Sequence, residues 1–335
     1  MRESLSYNCH TSTDGMKFRL YKIYRKLHKR IRIINASVIN FFLFFTEALT
    51  GTFITYHMRP STGAKLECSS DNANTYPRSA IVIQGPVAEE KNFTLETIRI
   101  YKKYFPQAII VLSTWNDTDP AVCENIRKEN IEVLLNAKPT VAGYKNINFQ
   151  IVSTSAGVRR AKQLGAEYML KTRTDQRFYN PRLLYFLYKT IHAFPVFMAG
   201  TRQKKRLIFS SASKRSQYRF YYASDMMMFG CTNDMDAYWH VSQVTSETMG
   251  SNAPEQYLMT EFLKHVGHEP MHTLDDSLSV FAHFCIILDL SMLDFYWFKY
   301  ERYWEYKDVR YDGREAHNFS FLEWLGLCAD REENQ

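Results

Sequence analysis

From residue 80 onward the chain alternates between short, continuous apolar runs and longer stretches whose apolar residues recur every three or four positions. Ala80–Gln84 (AIVIQ) is apolar nearly throughout and closes on Gly85-Pro86, so it predicts a buried strand ending in a turn. Thr94–Phe105 has helical spacing and stops before Pro106. Ala108–Ser113 predicts a second buried strand, Ala121–Glu129 a helix, Ile131–Leu135 a third strand, Asn148–Leu164 a long helix and Glu167–Thr172 a fourth strand. Beyond residue 180, Leu183–Ala193 predicts a helix and Val196–Gly200 and Tyr221–Gly230 are strand candidates. Glu255–Val266 predicts a helix opened by Ser251/Asn252 and Pro254. Such alternation implies an α/β domain with an open, mostly parallel sheet flanked by helices. Ligands of such sheets bind at the carboxyl ends of the strands. That directs attention to Gln84-Gly85, to Ser113-Thr114-Trp115-Asn116-Asp117 and to Lys171 through Asp175.

The first 77 residues follow another pattern. In 17–32, Leu20, Ile23, Tyr24, Leu27 and Ile31 form one helical face surrounded by cations, which suits an anionic membrane surface. Ile33–Tyr56 is long and apolar enough to raise the question of a membrane span. Asn35, Asn40 and Glu47 interrupt it, and a central Glu costs about 2.5–3.5 kcal/mol in the bilayer core. The expected role is therefore an interfacial or protein-packed helix. Residues 57–77 are polar, with Pro60, Gly63 and a Ser/Asp/Asn cluster, and predict a linker. The expected division is a membrane-associating helical extension over 1–77 and a folded domain over 78–335.

Charge sharpens this division. Residues 1–32 hold nine Lys/Arg against Glu3 and Asp14, which is the whole +7 net charge of the 335-residue chain. The remaining body is neutral, whereas a nucleic-acid binder spreads a basic stripe over its folded domain. The six cysteines are scattered and form no CxxC pair, which argues against a structural zinc site and fits reduced thiols.

The segments VIQGPV (82–87), FPQAIIVLSTW (105–115), NxNxQIxSTxxG (146–157), YMLKTRTD (168–175), ASDMMMFG (223–230) and PEQYL (254–258) together resemble the WavE family of lipopolysaccharide-synthesis proteins. The resemblance runs over about residues 78–310 and implies a GT-A-like, Rossmann-like glycosyltransferase fold. It further implies a nucleotide-sugar donor and a lipopolysaccharide or other bacterial surface-glycan acceptor. A spanning N-terminal helix would export the domain away from a cytoplasmic nucleotide sugar, so work at the cytoplasmic face of the inner membrane is expected. A peripheral attachment through residues 17–56 follows from the N-terminal pattern.

GT-A enzymes typically carry Asp-X-Asp after the fourth strand, binding Mn²⁺ or Mg²⁺ and through it the diphosphate. Here that position reads Arg173-Thr174-Asp175, so the first acid is missing. Asp175 is the candidate metal ligand, against an ordinary cap or an ion pair with Arg177. Lys171 and Arg173 are candidates for neutralising the diphosphate directly. Gln84, Gly85 and Thr114 are candidates for the nucleotide pocket, with Trp115 equally a core residue. Asn146 and Gln150 lead into the long helix, whose N-terminal amides favour an anion; Asn146 is equally an N-cap. Glu255, in the first turn of its helix, and Asp225, an acid inside an apolar strand, are rival candidates for the base that deprotonates the acceptor.

The seven cations between Arg202 and Arg219 suggest either a solvated loop or a lid over an anionic acceptor, and His283 and His317 are further metal-ligand candidates. A nucleotidyltransferase uses a similar sheet but normally opens with a Gly-rich phosphate loop, of which QGPV is a poor version. A non-catalytic membrane scaffold needs only the N-terminal arm and tolerates the loss of Asp175.

Overall fold

The computed structural model describes residues 38–51, 53–54, 58–66, 76–196, 198, 200–213, 219–245, 253–299 and 318–332. Two compact units divide between Arg59 and Pro60. In the first, residues 38–50 form a helix, α1, whose Phe41, Phe42, Phe44, Phe45 and Leu49 are exposed. Ile54 N donates to Glu47 Oε1 just beyond its end. Among the described residues no helix is long and apolar enough to cross a membrane. The amphipathic stretch 17–32 lies outside the described residues.

The second unit is built on a seven-stranded sheet in the order β3-β2-β1-β4-β8-β6-β9. These strands are β1 (Ser79–Gln84), β2 (Ile109–Trp115), β3 (Glu132–Asn136), β4 (Tyr168–Arg173), β6 (Leu207–Ser210), β8 (Ser224–Cys231) and β9 (Cys285–Leu288). β1, β2, β3 and β4 pair in parallel, β8 runs antiparallel to both β4 and β6, and β6 pairs in parallel with β9. The sheet is thus open and parallel except for β8. Every residue of β1 is buried, as a central strand covered on both faces requires. Each buried Ile or Val there contributes about 1.5–3 kcal/mol of hydrophobic stabilisation. The expected α/β architecture is what the chain adopts.

The helices are α2 (Phe93–Tyr104), α3 (Pro120–Arg127), α4 (Ile147–Gln163), α5 (Leu183–Ala193), α6 (Thr232–Trp239), α7 (Pro254–Val266), α8 (Leu274–Phe284) and α9 (Phe321–Glu332). α4 crosses β1 and β2 closely: a Cβ on Gly157 would lie 2.4 Å from Val82 Cγ1. α3 begins as its sequence dictates, with Asp119 accepting from Ala121 N at 2.8 Å and Pro120 in the first turn. Two short antiparallel ladders flank the sheet. β5 (Gln176–Phe178) pairs with β10 (Phe295–Trp297), and β7 (Ala212–Ser213) pairs with β11 (Asn318–Phe319). Among the described residues, Cys123, Cys231, Cys285 and Cys328 are in no disulfide.

Three expectations change. Residues 60–66, read as linker, are bound to the second unit. Gly63 N donates to Glu96 Oε2 at 2.7 Å, Lys103 Nζ to Gly63 O at 2.6 Å and Arg177 Nη1 to Ser61 O at 3.1 Å. Residues 196, 198 and 200 are not in a strand. The Arg202–Arg219 run is not one loop, because the wholly buried strand β6 lies inside it. Arg206 is also buried, while Lys204 N and Lys205 N donate to the carboxylate of Asp234.

Candidate functional site

The carboxyl end of β4 meets the start of β8, and the candidate residues gather there. Strand alternation puts Lys171 and Arg173 on one face of β4. Lys171 is buried, its ammonium donates to the backbone carbonyl of Asp225, and it lies 5.0 Å from the centre of the Trp239 ring. Burial pushes its pKa down to about 8, while the negative charge of Asp225 acts in the opposite sense. Glu255 and Asp175 bear on the same ammonium as counter-charges, with Arg173 as a like charge. Five candidate groups therefore share one electrostatic environment.

The chain enters β8 through Tyr221, held at a φ of 59°. Its N–H donates to Ser277 Oγ at 2.8 Å, its hydroxyl donates to Asp276 and accepts from His272 N, and His268 Nε2 lies 3.0 Å from the same Asp276. This anchoring fixes the next residues. Tyr222 donates its hydroxyl to Glu255 Oε1 at 3.1 Å. The start of α7 is tied to the same strand entry, since Gln256 Nε2 donates to Phe220 O at 3.1 Å.

Asp225 and Glu255 thus stand together. Burial, and after it the charge of Asp225, raises the Glu255 carboxyl above its usual range; the Tyr222 hydrogen bond and Lys145 oppose that rise. Asp225 Oδ2 and Glu255 Oε2 are both buried without a hydrogen-bond partner. Two such oxygens on carboxylates that feel each other's charge are costly in a finished core and suit a place where a hydroxyl-bearing ligand docks.

Asp175 follows β4 and is pinned from two sides. Arg173 Nε donates to Oδ1 at 3.0 Å and Nη2 to Oδ2 at 3.3 Å, and Trp297 Nε1 donates to Oδ2 at 3.0 Å. The β5–β10 ladder brings Trp297 opposite Gln176, and Phe298 N holds Asp175 O at 2.9 Å. The ion pair of Asp175 is with Arg173 and not with Arg177. Arg177 is buried elsewhere, on Thr97 Oγ1, Phe93 O, Tyr179 and the carbonyl of Ser61.

A divalent cation at Asp175 does not fit these contacts. A hard cation takes oxygen ligands, and three of the about four acceptor sites of this carboxylate are taken by the Arg173 guanidinium and the Trp297 indole, with the guanidinium's positive charge beside the fourth. The position of the missing acid carries the guanidinium itself. His283 is buried at the end of α8, and His317 lies outside the described residues.

The remaining candidates are spread along the strand ends. Gln84 is buried, with its Oε1 accepting from Ser153 Oγ at 2.9 Å on α4, so its amide braces helix against sheet. Gly85, at a φ of 112°, turns the chain, and its N–H reaches Ser113 O at 3.1 Å. Thr114 is buried with its hydroxyl 3.2 Å from that of Thr118. Trp115 is core, packed edge-on against Phe149. Asn146 is exposed at the N-cap of α4 in a left-handed conformation, with no side-chain capping bond. Asn148 is structural, joining Val141 and Val244 through three hydrogen bonds. Gln150 Oε1 is buried and without a partner.

A groove of about 440 Å³ runs along α4 and the segment after α6, lined by Asn136, Val152, Ser155, Arg159, Trp239 and Gln243 among others. Its lining includes none of the five charged groups. Trp239, however, belongs both to the groove and to the Lys171 environment.

The family model described as WavE lipopolysaccharide synthesis matches residues 79–269, more than half of the chain and nearly all of this sheet. The chain belongs to the WavE family. Comparison with curated proteins found no match. Among solved structures, the WavE chain resembles the 4-diphosphocytidyl-2C-methyl-D-erythritol synthase of Anaerococcus prevotii, at 11% identity over 61% of this chain and 96% of that one, with a TM-score of 0.35. It also resembles a mannosyltransferase of Pyrobaculum calidifontis in complex with GDP-Man and Mn²⁺, at 11% identity over 68% and 59% of the two chains (TM-score 0.33). TarS of S. aureus is similar at 10% identity over 62% and 64% (TM-score 0.34). Likenesses this distant describe an outline and say nothing of this chain's substrate.

Sequence reasoning did not single out Tyr222, Trp297 or Trp239. Tyr222 stands directly before ASDMMMFG and was within reach of a local reading. Trp297 comes to Asp175 across 122 residues, and no local pattern announces it.

Proposed function

We propose that this WavE protein is a glycosyltransferase that moves a sugar from a nucleotide-sugar donor to a lipopolysaccharide or related surface-glycan acceptor. The observation that carries the reading is the buried Asp225–Glu255 pair, with one unpartnered oxygen on each, beside Lys171 at the carboxyl ends of the strands. In the proposed reaction the acceptor hydroxyl docks on these oxygens. Its oxygen attacks the anomeric carbon of the donor sugar, and its proton passes to Glu255. The bond from the anomeric carbon to the diphosphate oxygen breaks, and the nucleoside diphosphate leaves with the electron pair. Charge gathering on that leaving group is met by the cationic side of the same cluster, which is the electrostatic help such a transfer needs.

An acid whose pKa is raised by burial and a like-charged neighbour is a stronger proton acceptor once ionised than an ordinary carboxylate. Tyr222 acts as a positioning residue, orienting Glu255 through the 3.1 Å hydrogen bond.

Membrane attachment through residues 17–56 belongs to the same proposal. It is supported by the cations of 17–32 and the exposed phenylalanines of α1, and it puts the enzyme where a glycolipid acceptor is found.

The test is a panel of UDP-, GDP-, ADP- and CMP-sugars offered to the full-length protein, reading binding and hydrolysis, with Glu255→Gln alongside. Selective turnover of one donor, lost in the variant while binding persists, supports the transferase. A wild-type protein that binds no sugar nucleotide overturns it and favours a scaffold of glycan assembly.

A further inference from the structure

We propose that Arg173, clamped by Asp175 and Trp297, is the counter-charge for the donor's diphosphate, and that this enzyme therefore works without a divalent cation. The inference rests on the transferase reading and names how that site holds its donor.

The clamp is built on both sides of the guanidinium. Its Nε–Nη2 edge forks onto the two oxygens of Asp175, at 3.0 and 3.3 Å, and its central carbon lies 5.6 Å from the centre of the Trp297 ring. Trp297 reaches the same carboxylate through its indole N–H, so the three side chains close a triangle. Two backbone restraints hold the triangle in place, the β5–β10 ladder and the Phe298 N–H on Asp175 O. A guanidinium fixed in this way has little freedom left to lose when an anion arrives, and a planar fork suits phosphate oxygens.

Two other features separate Arg173 from its neighbours. Lys171 is buried and spends its ammonium on the carbonyl of Asp225, so it acts on the site only through its field. Arg173 keeps 30% of its side chain exposed, at the carboxyl edge of the sheet. The acid that would share a cation with Asp175 is replaced by Arg173 itself. Three of the about four acceptor sites of Asp175 are taken by the guanidinium and the indole N–H, and a metal at the fourth would stand against the Arg173 guanidinium at close range.

The experiment is calorimetric titration of UDP, GDP, ADP and CDP into the full-length protein, first with excess EDTA and then with Mn²⁺. It is repeated with Arg173→Met and Arg173→Lys, whose folding is checked by thermal melting. One nucleoside diphosphate is expected to bind with the same affinity in EDTA and in Mn²⁺. Arg173→Met should weaken it by roughly tenfold or more, as loss of a charge-assisted hydrogen-bonded contact does. Arg173→Lys should fall between, and the corresponding nucleosides should bind equally to all three proteins. Binding that EDTA abolishes and Mn²⁺ restores overturns the inference while leaving the transferase reading in place, and so does binding indifferent to Arg173→Met. If no nucleoside diphosphate and no sugar nucleotide binds the folded wild type, the transferase reading falls and the inference falls with it. The metal arm needs only wild-type protein, so it decides even if a variant fails to fold.

Discussion

The negative charge of Asp225 bears on Glu255 closely enough to add to burial in holding the Glu255 carboxyl above its usual range. A base must be ionised to take a proton, so transfer is expected to rise with pH through that raised pKa. Asp225→Asn removes the repulsion, and the acidic limb of the kcat/KM profile should move to lower pH. Tyr222→Phe removes a hydrogen bond that favours the ionised form, and the limb should move to higher pH. The two shifts have opposite signs. A limb that neither substitution moves would assign the proton transfer to another group.

The same carboxyl makes a stability prediction. A group whose folded pKa lies above its ordinary 4.5 binds more protons folded than unfolded across the interval between the two values. Stability therefore falls as pH rises through that interval, and the cost persists at neutral pH. Glu255→Gln should melt at a higher temperature than wild type at pH 7, with the gap closing below pH 4.5. Higher stability joined to lost turnover is the combination expected of a buried catalytic base. Equal melting at pH 7 would mean that the ionised pair costs the fold nothing.

Lys171 gives the opposite slope. Its folded pKa of about 8 lies below the ordinary 10.5, so the unfolded chain binds more protons between those values and stability rises with pH across that window. The gain amounts to about 3 kcal/mol by pH 10.5. Lys171→Met keeps the aliphatic packing against Trp239 and removes the titration. Urea unfolding from pH 7.5 to 10.5, compared between the two proteins, should show the rise only in wild type. Parallel curves would show that the ammonium is solvated or fully compensated.

The repeating half of this fold was legible because its physics is local. β1 to β4 and the helices between them are apolar runs and 3.6-residue patterns bounded by Gly, Pro or Asp, and the chain follows them to within a residue or two at most ends. The second half breaks that link. β6 hides inside a cationic run, and its Leu207–Ser210 core gives only four buried residues of signal. α8 passes straight into β9 at Phe284/Cys285 without a turn residue, so one apolar stretch conceals a change of period. The site divides in the same way. Asp225 and Glu255 each stood out locally, as an acid in an apolar strand and an acid behind a helix-opening proline. That they form a pair depends on the antiparallel entry of β8 and on where α7 begins, which are tertiary facts. Arg173 and Asp175 are only two residues apart, yet the ion pair expected for Asp175 was with Arg177, and nothing local announced Trp297.

The close crossing of α4 over β1 predicts a sharp size limit. With a Cβ on residue 157 only 2.4 Å from Val82 Cγ1 and 3.3 Å from Ser113 Cβ, either the helix or the strand must shift. Gly157→Ala improves intrinsic helix propensity by about 1 kcal/mol, yet overpacking of about 1–3 kcal/mol opposes it. Because α4 also carries Ser153, the partner of Gln84, the shift should reach the strand end. A net loss in thermal stability is expected, and Gly157→Ala combined with Val82→Ala should recover part of it. A variant more stable than wild type would show that the helix has room to lift.

The exposed face of α1 makes the last prediction. Phe41, Phe44 and Phe45 are 69%, 72% and 58% exposed, a concentration of apolar surface that water alone does not favour. Residues 1–32 precede this helix in sequence and carry the entire +7 net charge of the chain. An interfacial anchor combines two such terms, apolar insertion and attraction to anionic headgroups, and the two respond to different variables. Replacing the three phenylalanines with Asp removes insertion and should weaken binding to phosphatidylglycerol-containing vesicles by roughly tenfold or more, given about 1.5–3 kcal/mol per buried Phe. Replacing Lys22, Arg25, Lys26 and Lys29 with Gln should weaken binding to those vesicles while leaving the weak binding to neutral vesicles unchanged, and raised salt should mimic it. Turnover of a soluble acceptor analogue should survive both sets of changes. Wild-type protein that ignores vesicles of either composition would remove the membrane from the proposal and leave the phenylalanine face as a surface for another protein.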